Sequence, residues 1–73
     1  METLDVKGLR CPIPILKAKK ALAGLESGDV LSVLTTDESA PTDFKQFCFQ
    51  TGHQLLECSM KELGYYQIII KHR

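Results

Sequence analysis

The sequence predicts a small α/β (α+β) domain. It is a two-layer sandwich in the order βαβαββ, with two helices on one face of a mixed four-stranded sheet. Three observations carry this reading. Two amphipathic segments each open with a proline in the first turn and end at a glycine, at Pro12–Ala23 before Gly24 and after Ser39 as far as Thr51 before Gly52. Apolar, β-branched runs precede and follow them, and strands separated by helices favour right-handed crossovers and parallel neighbours. The last two runs are parted only by a short turn at Leu63-Gly64, close enough for a hairpin. A length of 73 residues allows one domain, residues 1–73, with a small core.

The first strand is Leu4 and Val6 alternating with polar residues, with Thr3 ahead of them, and it ends at Gly8. In the first helix Cys11 is the expected N-cap, Pro12 the first helical position and Pro14 the third. Proline is tolerated there because the leading N–H groups have no intrahelical partner. At about 100° per residue, Ile15, Ala18, Ala21, Leu22 and Leu25 share the core side. Ile13 and Leu16 fall on the opposite side with Lys17 and Lys20. Ser27-Gly28-Asp29 is a turn. Val30–Thr35 is nearly all apolar, as a strand with both faces at least partly covered should be. Asp37 and Ser39 offer N-caps for the second helix, and Pro41 lies in its first turn. Ala40, Phe44, Phe47 and Cys48 form its buried face, Lys45, Gln46 and Gln50 another, and Phe49 points away. Gln54–Met60 is the third strand, with Cys58 expected among apolar packing. Tyr65–Lys71 is the fourth, with one of Tyr65 and Tyr66 inward and one outward. His53 follows a helix end, where it can cap carbonyls; no role is assigned to His72.

The chemistry concentrates at Gly8-Leu9-Arg10-Cys11-Pro12-Ile13-Pro14. A thiol hung on a helix start lies at the positive end of the helix dipole, and Arg10, Lys17 and Lys20 add positive charge. Both favour the thiolate, the nucleophilic form of cysteine. The expected effect is a modest lowering of the Cys11 pKa, since Pro12 and Pro14 remove two N–H donors. The plainer reading, a free cysteine packed as a small buried hydrophobe, fits poorly between flanking prolines. No second cysteine or histidine stands at metal-ligand spacing from Cys11, and no Cys-x-x-Cys is present, so neither a metal nor a cofactor is expected. Ile13 and Leu16, ringed by Lys17 and Lys20 within a turn of Cys11, read as a docking patch for a protein partner.

Composition narrows the classes. Nine Lys and Arg balance nine Asp and Glu, for zero net charge at pH 7. Bulk charge therefore argues neither for nor against a nucleic-acid partner. No run of 18 apolar residues is long enough to span a membrane, and no signal peptide opens the chain. Three cysteines are too few and odd for a disulfide framework. A reducing cytoplasm is the expected compartment.

Leu4-Asp5-x-x-Gly8-Leu9-Arg10-Cys11-Pro12-x-Pro14 resembles the signature of the TusA family of sulfur carriers, the SirA-like or Cys-Pro-x-Pro proteins. Gly28-Asp29-x-Leu31, Thr36-Asp37, Phe47-Cys48 and Gly52-His53 extend the resemblance over nearly the whole chain. It implies the βαβαββ sandwich, similar to the C-terminal domain of translation initiation factor three. It also implies that Cys11 carries sulfur covalently as a persulfide, with no other cofactor. The sulfur would come from a donor protein such as a cysteine desulfurase or a rhodanese-like protein, and pass to an acceptor protein. Family routes include thiolation of tRNA wobble uridine, sulfur supply for molybdenum cofactor, sulfur oxidation, and thiosulfate or selenium metabolism. Family members of the tRNA route carry an acidic residue between the prolines. Here it is Ile13, followed by Ile15 and Leu16, an apolar tip that implies a different partner surface and gives weight to a sulfur-metabolism or membrane-transporter partner.

Two other classes stay open at this level. One is an RNA- or protein-binding module using Lys17, Lys19, Lys20, Lys45, Lys71 and Arg73, although no aromatic stacking platform accompanies them. The other is a redox regulator pairing Cys11 with Cys48 or Cys58.

Overall fold

The computed structural model describes residues 1–73 and contains β1 (Glu2–Asp5), α1 (Ile13–Ala23), β2 (Val30–Thr35), α2 (Ala40–Thr51), β3 (Gln54–Met60) and β4 (Tyr66–Lys71). The order is the expected βαβαββ. The sheet runs β1-β2-β4-β3, with β1 parallel to β2 and the other two pairings antiparallel. The parallel pair is joined by α1 as its crossover, and β3 and β4 form the hairpin. Both helices lie on one face, α1 over β2 and α2 over β3 and β4.

The core sits between the layers. Leu31 and Val33 of β2 and Ile68 and Ile70 of β4 meet Ala18 and Leu22 of α1 and Ala40, Phe44, Phe47 and Cys48 of α2. Each large apolar side chain fully withdrawn from water contributes about 1.5–3 kcal/mol. Phe44 and Phe47 stack edge to face, with ring centroids 6.3 Å apart. On the other face of the sheet, Gln67 Nε2 donates to Ser32 Oγ at 3.0 Å, so Ser32 is buried with its hydroxyl paired.

Three expectations are corrected. The first helix starts at Ile13, so Pro12, not Cys11, occupies the N-cap, and Pro14 stands at its second position. Cys11 belongs to the preceding turn, which the Ile13 N–H closes onto the Arg10 carbonyl at 2.9 Å. Pro14 is also core: Pro14, Ala18 and Leu22 form the fully buried row, spaced four apart, while Ile15, Ala21 and Leu25 are half-buried beside it. Finally, Cys58 is exposed. It pairs with buried Ile68 and so faces the helix layer, but β3 is an edge strand and the helices do not cover it.

Other expectations hold. Cys48 is buried and Phe49 is 82% exposed. Gly52 ends α2 in the left-handed conformation (φ 85°), its N–H bonded to the Cys48 carbonyl at 2.9 Å. Tyr66 packs against the core, while Tyr65 lies beneath the Lys7 ammonium, 4.8 Å from the ring centroid. One further expectation is corrected: His53 does not cap a helix carbonyl but accepts the Arg73 backbone N–H at 3.1 Å and stacks near the Phe47 and His72 rings.

Candidate functional site

Because β1 and β2 are parallel neighbours, the loops leaving them emerge side by side. The start of α1 therefore lies against the start of α2. Two hydrogen bonds stitch them: the Gly8 N–H donates to Thr36 Oγ1 at 2.8 Å, and the Cys11 N–H to Asp37 Oδ2 at 2.7 Å. Gly8 has φ 84°, a left-handed backbone that only glycine adopts cheaply, and this turns the chain from β1 toward Cys11.

Asp37 does more than cap. Its Oδ1 accepts both the backbone N–H and the hydroxyl of Ser39, each at 3.0 Å. The Ser39 hydroxyl also lies 2.9 Å from Asp43 Oδ2. Ser39 thus turns its side chain toward the two carboxylates and does not cap the α2 backbone with it. Cys11 Sγ and carboxylate oxygens of Asp37 and Asp43 all fall within 4.8 Å of one another. The exposed thiol borders a shallow open groove between the helices, floored by Ile15 and Phe47 with Gln46 and Gln50 at its rim.

This corrects the expected acidity. The Cys11 pKa is raised, first by its hydrogen bond to Asp43, then by partial desolvation and by the charges of Asp43 and Asp37; Ser39 pulls weakly the other way. The expected positive field is spent elsewhere. Pro12 and Pro14 have no N–H, the Ile13 N–H goes to Arg10, the Leu16 N–H to Pro12, and the Cys11 N–H to Asp37. Arg10 acts on Asp37, whose carboxyl is held below its ordinary range by the Ser39 N–H first, then by the Cys11 N–H, the Ser39 hydroxyl and the Arg10 charge. Lys17 and Lys20 are exposed on the outward side of α1, and neither forms an ion pair. At neutral pH Cys11 rests as a thiol.

Cys11, Asp37 and Asp43 are the side chains close enough to share a cation. Both Asp37 oxygens and one oxygen of Asp43 already have internal partners. Ile13 is 41% and Leu16 57% exposed on the outward side of α1, beside Lys17 and Lys20. Sequence reasoning missed Asp43 entirely and took Asp37 for a helix cap alone. The available signal was topological, since a parallel β1–β2 pair obliges the two helix starts to meet.

The profile of the family described as "Sulfurtransferase TusA" matches residues 2–72. The sulfur carrier protein TusA of Allochromatium vinosum is 47% identical over 70 residues, covering 96% of this chain and 91% of that protein. A Neisseria meningitidis serogroup A protein, named as a candidate sulfur carrier, is 57% identical over 72 residues, covering 99% of this chain and 96% of its own. The crystal structure of a SirA-like protein from Desulfitobacterium hafniense superposes with a TM-score of 0.88 at 36% identity, covering 97% of this chain and 96% of the other. With the profile spanning all but the end residues and the fold shared throughout, the chain belongs to the TusA sulfurtransferase family.

Proposed function

We propose that this protein is a sulfur carrier that holds sulfur as a persulfide on Cys11 and relays it between a donor and an acceptor protein. Family membership supports the sulfur chemistry. The observation that carries the assignment to Cys11 is its placement. Its thiol is exposed on an open corner between two helix starts, and no enclosed pocket surrounds it. Such a thiol can enter a partner's active site, attack the outer sulfur of a donor persulfide and later surrender that sulfur to an acceptor thiolate. Cys48 is buried, and burial pushes its thiol up to about 11. Cys58 is exposed but lies on the edge strand, away from the family motif.

A cysteine desulfurase or a rhodanese-like protein is the class of donor this chemistry calls for. The partner would dock on Ile13 and Leu16, with Lys17 and Lys20 favouring an apolar seat rimmed by acidic residues. The carried sulfur is the only group the chemistry requires. A membrane transporter is compatible as a partner, and no helix of this chain is long and apolar enough to cross a membrane itself.

Intact mass after incubation with a cysteine desulfurase and free cysteine tests the assignment. Wild type and Cys58→Ser should gain about one sulfur atom, removed by reductant, because a persulfide is reducible by thiol exchange. Cys11→Ser should gain none. Loading of Cys11→Ser to the wild-type level would refute the role given to Cys11.

A further inference from the structure

The hydrogen bonds around Ser39 pose a counting problem. Its Oγ lies 3.0 Å from Asp37 Oδ1 and 2.9 Å from Asp43 Oδ2. A hydroxyl has one proton to donate. With both carboxylates ionised, one of those contacts is two oxygens at hydrogen-bonding distance with no proton between them. One added proton on Asp43 fills every contact: Asp43 donates to Ser39, and Ser39 donates to Asp37. Asp37 is the poorer place for it, since its two oxygens already accept the Cys11 and Ser39 N–H groups at 2.7 and 3.0 Å. A carboxylate oxygen of Asp43 also lies within 4.8 Å of the Cys11 sulfur. The cluster therefore has two homes for a single proton, the Cys11 sulfur and the Asp43 carboxyl.

From this geometry we infer that Asp43 is a catalytic residue that takes the Cys11 proton as the thiol attacks a sulfur donor, with Ser39 and Asp37 as positioning residues. The inference rests on the persulfide-carrier reading. The step balances without an external oxidant. The Cys11 S–H proton passes to Asp43 as Sγ bonds to the outer sulfur of a donor persulfide, R–S–SH. The S–S bond of the donor breaks, and R–S⁻ leaves with the bonding pair. The outer sulfur keeps its hydrogen, giving Cys11–S–SH, and the proton on Asp43 returns to R–S⁻ directly or through water. One S–S bond is exchanged for another, so no electrons are gained or lost. The charged groups facing the thiol are Asp43 and Asp37 from the start of α2; Arg10, on the thiol's own loop, acts on Asp37.

The consequence is that loading does not track the thiolate fraction, and two variants separate the two quantities. Loading is measured by single-turnover mass spectrometry with glutathione persulfide, a small donor that needs no docking surface. Thiol ionisation is measured by the rate of Cys11 alkylation against pH. Asp43→Asn should lower the alkylation midpoint, by removing the neighbouring charge, yet slow loading at neutral pH about tenfold or more, as loss of a general base does. Ser39→Ala should also slow loading, by a smaller factor, because it removes the oxygen to which protonated Asp43 donates. Loading that rises in Asp43→Asn together with alkylation would make Asp43 a mere electrostatic brake and overturn the inference. So would an unchanged alkylation midpoint in that variant. Should Asp43→Asn fail to fold, Ser39→Ala decides: loading equal to wild type overturns the inference. A wild-type protein that alkylates at Cys11 but never loads sulfur overturns the carrier reading itself, a distinct result.

Discussion

The two helix starts lie side by side and are built in opposite ways. The start of α1 has two prolines, no acidic residue in its first turn and no side-chain cap. It offers a thiol and two exposed apolar side chains. The start of α2 is crowded with polar groups, where Asp37, Ser39 and Asp43 bond to one another and to the Cys11 backbone. The exposed thiol sits on one start and its polar neighbours come from the other. The thiol's acidity is therefore a property of the packing between two helices, where the sequence around Cys11 alone points to the opposite sign.

If that division holds, damage to the shared core should disturb both starts most. Phe44 is fully buried one residue after Asp43. Phe44→Ala should cost about 3–5 kcal/mol, read as a loss of denaturation midpoint. In the surviving folded fraction, the alkylation midpoint of Cys11 should drift toward that of a free cysteine as Asp43 loosens. A Phe44→Ala protein as stable as wild type would mean that α2 is held by something other than this core.

Cutting the stitch itself should cost less. Asp37→Ala removes the acceptor of the Cys11 and Ser39 N–H groups and should destabilise by about 0.5–2 kcal/mol, as loss of a helix-start acceptor does. It should also make Cys11 easier to ionise, since a neighbouring negative charge is gone. A rise of the alkylation midpoint in this variant would contradict the role given to Asp37. Ile13→Glu, on the outward side of α1, should change stability by no more than about 0.5 kcal/mol. Reaction with a small alkylating reagent should stay nearly constant, while transfer from a protein donor falls. Equal transfer from a protein donor would place docking elsewhere, Phe49 being the next exposed apolar side chain.

The smallest effect lies at the far end of α2, where neither helix start should be felt. The His53 pKa is lowered, chiefly by desolvation and then by the nearby charges of His72 and Arg73. The fold thus favours neutral His53, and the unfolded chain takes up its proton more readily. The stabilisation is present above the ordinary histidine value near 6.5 and is lost as pH falls through it toward the lowered folded value. His53→Gln should flatten that limb of the stability curve and leave Cys11 alkylation unchanged. A curve of the same slope in the variant would assign the limb to other groups.

Local chemistry made much of this fold legible. The element order, the hairpin and the buried stripe of α2 follow from period, proline and glycine, and the Cys-Pro-x-Pro segment singled out Cys11. What escaped was one doubled role within a helix and two consequences of distance along the chain. Pro14 marks the helix start, and its ring is also apolar bulk on the row of Ala18 and Leu22. The apolar neighbours of Cys58 point to packing; only the strand order shows that it lies on an edge. The sign of the Cys11 shift is hidden in the sequence because Asp43 approaches Cys11 across a helix, a strand and two loops.

The irregularity in β3 between Leu55 and Glu57 bears on solubility. An edge strand presents unpaired backbone groups that invite the strand of another molecule. An extra residue there bends and twists the rim, and Glu57 adds charge to it, so a neighbouring chain finds no long flat template.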